Sequence, residues 1–167
     1  MNKKKNKLKF DEITKDILEH EEFIKTKYEK HHGISRYEHL VRVSYYTYKI
    51  TKLLRLNYVE ATKGALLHDF FTDEVKHEGS VKRLRNHPNH ALNNSKKHFD
   101  LTAMEKDIIK THMFPVTFTP PKYLEGWIVV LMDNIAGIGE KTYSISRQLR
   151  PAAMLVMLFV FNFLRIP

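Results

Sequence analysis

From Phe10 to the C-terminus apolar residues recur at spacings of three and four, and almost nowhere do they alternate. That period belongs to helices with one buried stripe and leaves little room for a sheet. Phe10, Ile13, Ile17, Phe23, Ile24 and Tyr28 predict helix over 8–29, and His31-His32-Gly33 breaks it. Ser35 followed by Glu38 makes a capping box, in which each side chain satisfies the other's backbone N–H at a helix start. The helix it opens carries His39, Val43, Tyr46, Ile50 and Leu53 on one stripe. A third helix is expected over about 58–69, then a polar loop over Thr72–Asn86. Pro88 suits the first turn of a fourth helix, where its missing N–H has no partner to lose, and that helix reaches about Phe99. Thr102 and Glu105 form a second capping box ahead of Ile108, Ile109 and His112. Phe114–Lys122, with three prolines, reads as irregular, and 123–138 and 142–165 as the last two helices. The expectation is all-α, a single-domain helical bundle without a strand pair. Its parts are a basic tail and N-terminal helix (1–30), a core (31–138) and a C-terminal apolar helix (139–167).

Composition narrows the chemistry. The absence of cysteine excludes disulfide scaffolds, zinc fingers, iron–sulfur clusters and thiol nucleophiles together. Lys and Arg number 28 against 19 Asp and Glu, a net charge of +9. Part of that excess, Lys3, Lys4, Lys5, Lys7 and Lys9, lies in a tail expected to be frayed. The charge suits a phosphorylated small molecule as partner. No basic ladder interleaved with aromatics is present, so no specific nucleic-acid partner is expected. MNKKKNKLKF lacks the apolar core of a signal peptide, which gives a cytoplasmic expectation. The apolar run Ala152–Leu164 is shorter than the ~20 residues a bilayer needs. Flanked by Arg147, Arg150 and Arg165, it is left three roles: packing on the core, contact with a second copy in a homo-oligomer, or lying in a membrane interface.

The ten histidines are the unusual feature. Imidazole and carboxylate are the ligands left to a cysteine-free chain that holds a transition metal. His39 on its apolar stripe, and His112 beside Ile108 and Ile109, each read singly as core histidines. Asp133 follows Leu131 and Met132 in an apolar helix, where an unpaired carboxylate is costly, so it needs a cation, a metal or several donors. His68-Asp69, ending another apolar helix, poses the same question. One shared cluster at the centre of a helical bundle answers all of them.

The order His, His-Asp, Asp resembles the HD-domain metal-dependent phosphohydrolases over roughly 31–138. The carriers are "RYEHLVRVSYY" around His39, "GALLHDFF" around His68-Asp69 and "VVLMDNI" around Asp133, joined by "NHPNHA" at His87 and "IIKTHMFP" at His112. The resemblance implies one metal on His39, His68, Asp69 and Asp133, and a second on Asp69, His87 and His112, with Asp69 bridging. Members with both additional histidines are usually dinuclear, often with iron or manganese. One or two divalent ions are therefore expected, Fe or Mn ahead of Mg, Co, Ni and Zn. His90 lies one turn from His87, and Pro88 favours His87 as the ligand. Phe70-Phe71 replaces the Ile-Gly-Lys of one subgroup, and the Gly-Tyr-Pro signature of the cyclic-dinucleotide branch is absent. His31, His32, His77 and His98 are read as surface residues.

The function implied is hydrolysis of a phosphomonoester or phosphoanhydride, with a nucleotide as the expected substrate, by a metal-activated water. Asp69 would be its central residue, Arg36 a substrate-orienting cation, and Asp73 or Glu74 a proton carrier for the leaving oxygen. Lys76, Lys82, Arg83 and Arg85 form a basic patch suited to a nucleotide's phosphates. Two alternatives stand beside this: the same scaffold as a metal- or nucleotide-binding sensor without turnover, and a bundle whose histidines serve only its core.

Overall fold

A computed structural model describes residues 3–31, 33–71 and 80–163, with side chains for 9–29, 33–71 and 85–146. The chain is helical almost throughout: α1 (Lys3–Leu18), α2 (Glu21–Ile24), a 3-10 turn (Lys25–Tyr28), α3 (Arg36–Leu53), α4 (Tyr58–Leu67), α5 (Ser80–His98), α6 (Ala103–Thr111) and α7 (Leu124–Phe163). The tail expected to be frayed is helical from Lys3.

One small antiparallel ladder, β1 (Lys30–His31) and β2 (Ile34–Ser35), occupies the break, pairing Lys30 with Ser35 and His31 with Ile34. No strand pair was expected there. Gly33, at φ +94°, turns the chain between them in a conformation side chains resist. Both capping boxes form as expected: the Ser35 hydroxyl accepts from the Glu38 N–H and the Thr102 hydroxyl from the Glu105 N–H, and each glutamate bonds back to its cap.

Two expectations about helix ends are corrected. Pro88 lies inside α5, which starts at Ser80, so residues 80–86 are helix and not loop. Lys82, Arg83, Leu84 and Arg85 are good helix formers, and burial of the Pro88 ring offsets the N–H it lacks. The last two helices are one. Gly137 and Gly139 cost about 1 kcal/mol each in a helix, less than the burial of Val129, Met132 and Ala136 on the same helix contributes.

Two adjoining clusters make the core. Ile17, Phe23, Leu40, Leu66, Leu67, Phe70 and Ile109 fill one, and Val43, Ala65, Ile108, Val129 and Met132 the other. α4 runs through the middle of the bundle. A Cβ on Gly64 would stand 3.0 Å from Ile108, so glycine is what lets α4 and α6 approach this closely. Glu125 accepts from the Asn57 N–H at 2.9 Å and fastens the start of α7 to the start of α4. Among the described residues no helix is long and apolar enough to cross a membrane.

Candidate metal centre

Five segments deliver six side chains to one buried place. His39 comes from α3, His68 and Asp69 from the end of α4, His87 from α5, His112 from the end of α6 and Asp133 from α7. His68 and His112 use the same local device. Each caps its helix and sets Nδ1 against the carbonyl three residues back, His68 on Ala65 at 2.7 Å and His112 on Ile109 at 2.8 Å. A carbonyl only accepts, so Nδ1 carries the proton and Nε2 is left facing inward. Both Nε2 atoms are buried and lack a hydrogen-bond partner.

Carboxylates stand opposite those nitrogens. Asp69 Oδ1 lies 3.2 Å from His112 Nε2 and 3.9 Å from His68 Nε2, and His87 Nε2 contacts the same oxygen. Asp133 Oδ1 is 3.0 Å from His39 Nε2 and 3.5 Å from His68 Nε2. Among the described residues two groups have the spacing to hold a metal ion, His39–His68–Asp69 and Asp69–His87–His112, and Asp69 belongs to both. His90 belongs to neither; it is His87 that reaches Asp69. A lone pair turned on a carboxylate oxygen in a buried space is repulsive unless a cation lies between. The donor set therefore fits a divalent transition ion, with only nitrogen and oxygen ligands.

Proton equilibria reflect the same crowding. Burial alone would raise Asp69 and Asp133, but the imidazoles around them hold both carboxyls well below the usual carboxylate range. Burial pushes His112 down and its one carboxylate neighbour does not restore it. It pushes His39 down too, yet Asp133 and Glu140 outweigh it and raise that imidazole to about 9.

Glu140 was not anticipated. It is buried, faces His39 Nδ1 at 2.9 Å with one oxygen and accepts from Arg42 Nη1 at 2.7 Å with the other. A carboxylate behind an imidazole fixes its tautomer and raises its basicity as a ligand. The signal lay in spacing: Glu140 is two turns beyond Asp133, and Arg42 is one turn beyond His39.

In metal-free protein His39 titrates well above its ordinary 6.5. Its imidazolium therefore contributes stability that is complete below the unfolded value and is lost as pH rises through about 9. Urea unfolding in a chelator, from pH ~6 to ~9.5, should show stability falling by on the order of 3 kcal/mol, and Glu140→Gln should flatten the fall. An unchanged slope in the variant contradicts the pairing.

Arg36 does not stand at the rim as the substrate-orienting cation expected. It is 5% exposed, donates to the Phe71 carbonyl at 2.7 Å, pairs with Glu29 at 3.2 Å and stacks 3.9 Å from the centre of the Phe71 ring. Phe71 in turn packs edge-on against His87, with ring centres 4.7 Å apart. Arg36 thus braces the segment that carries Asp69, and it is a positioning residue. His98, expected at the surface, packs against Phe70 at 6.0 Å. Asp73, Glu74, Lys76 and the side chains of Lys82 and Arg83 lie outside the described residues.

A comparison with protein-family models matches the HD domain over residues 36–138. Comparisons with curated proteins and with solved structures find no match. The matched span begins one residue after the Ser35 cap and closes on α7 just past Asp133, so it takes in all five segments that build the cluster. On that span, more than half its length, the chain belongs to the HD domain family.

Proposed function

We propose that this protein is a metal-dependent phosphohydrolase that cleaves a phosphomonoester or phosphoanhydride bond of a nucleotide. The observation that carries the reading is Asp69, whose one oxygen faces the histidines of two adjoining groups. His39, His68, Asp69 and Asp133 would hold one ion, and Asp69, His87 and His112 a second; nitrogen and oxygen donors of this kind suit iron or manganese. Divalent ions held so would supply an acidified water and positive charge for the phosphoryl oxygens. The chain does the rest. As ligands through Nε2, His68 and His112 would be neutral imidazoles that add no negative charge, which leaves the site attractive to a phosphate. Asp133, partly exposed, and His87, at 16% side-chain exposure, mark the side open to substrate. The Phe71 ring, edge-on against His87, gives that side of the site an apolar wall. Glu140 and Arg36 hold His39 and the Asp69 segment in register.

Metal content after reconstitution with Mn or Fe, and phosphate release across a panel of nucleotides, test the proposal. One or two ions per chain together with metal-dependent turnover are expected. Stoichiometric metal without turnover on any phosphate ester favours the sensor alternative, and failure to take up metal removes the hydrolase and favours a bundle whose histidines serve only its core.

A further inference from the structure

On another side of the two helices that carry His87 and His112 lies a separate concavity of about 330 Å³. Arg85 and Asn89 of α5, Lys110 of α6 and the turn Val116–Thr119 line it, and none of the six clustered residues does. Helix geometry explains the separation. Arg85 and Asn89, four residues apart, share one face of α5, and each is two residues (about 200°) from His87. Lys110 is likewise two residues from His112.

The lining has a definite chemistry. Its two formal charges are both positive, Arg85 and Lys110, and both are exposed. Phe118 presents its ring to solvent at 77% exposure from a backbone at φ +53°, a left-handed conformation that a bulky residue adopts only under constraint. The Arg85 guanidinium stands 5.9 Å from the centre of that ring. The Thr117 hydroxyl oxygen is buried without a hydrogen-bond partner. Folding alone does not favour an apolar ring held out in water on strained backbone beside two cations. A ligand with a planar face and a negative group makes use of the ring and of both cations.

We propose that this concavity is a second binding site, independent of any metal, for a phosphorylated molecule bearing a planar ring, of the nucleoside monophosphate class. Arg85 and Lys110 take the phosphate, Phe118 stacks on the ring, and the exposed Asn89 offers a polar group to the ligand's edge. This does not rest on the hydrolase reading.

The test uses full-length protein stripped of metal and held in chelator, with AMP and inorganic phosphate as probes in calorimetric titrations. AMP is expected to bind one site per chain. Arg85→Ala combined with Lys110→Ala should weaken both probes at least about tenfold. Phe118→Ala should weaken AMP about tenfold and leave phosphate unchanged, since a stacked base is worth a factor of that order. These side chains are exposed, so unchanged circular dichroism and melting temperature are expected and confirm that each variant is folded. Absence of AMP binding to the wild type, equal binding by wild type and the double variant, or equal losses of AMP and phosphate in Phe118→Ala would each overturn the proposal. None of those results bears on metal content or phosphate release, by which the hydrolase reading stands or falls.

Discussion

Asp69→Ala is expected to leave the protein unable to retain metal and to lower phosphate release by on the order of 10³-fold or more. Asp69 is the residue common to both candidate groups, and three imidazoles face its carboxylate. Removing it takes a donor from each group at once and leaves three histidines facing one another across a buried gap. Asp69→Asn is the discriminating variant. It keeps the volume and one oxygen but loses the charge, so it should fold while binding metal far more weakly. Metal analysis, circular dichroism and phosphate assays on both variants read the effect. Turnover by Asp69→Asn at the wild-type rate would refute a role for the carboxylate in the reaction.

Phe70→Ala should lower stability by about 3–5 kcal/mol, the range for deleting a buried aromatic ring. Phe70 is fully buried, packs against Phe23 at 5.6 Å and Phe99 at 5.8 Å, and receives the Asn94 side-chain N–H on its carbonyl. Those neighbours come from α2, the end of α5 and the segment after it, so the cavity left cannot close by moving one element. Phe70→Leu should lose much less. Because Phe70 directly follows Asp69, metal affinity should fall together with stability in Phe70→Ala. Urea unfolding checks the first effect and metal titration the second. A loss below about 1 kcal/mol would contradict the packing described.

What could be read from the sequence was local or closely patterned. Ser35–Glu38 and Thr102–Glu105 declare their helix starts within four residues, and both caps form. His39, His68, Asp69, His112 and Asp133 sit in apolar contexts where a polar side chain needs company, His87 is marked by the resemblance alone, and the six do meet. Less legible were features decided by tertiary packing. Pro88 reads as a helix start by propensity, but helix formers before it and burial around it carry α5 through. Arg36 reads as a rim cation because nothing nearby in sequence shows that Glu29 and the Phe71 carbonyl close over it. Glu140 lies beyond the resembling segment, so no motif marked it, and its one trace in the sequence is its place two turns beyond Asp133 on the same helix.

His39 grips α7 at two places, Asp133 through Nε2 and Glu140 through Nδ1. The two carboxylates are seven residues apart, about 10.5 Å along the helix axis, yet a single five-membered ring answers both. α7 therefore cannot slide along its axis or rotate without breaking one of the two grips. Its span from Leu124 to Phe163 makes it a rod bolted at one end to the cage of histidines and carrying its orientation outward. Any turn of that helix about its axis has to be answered at His39.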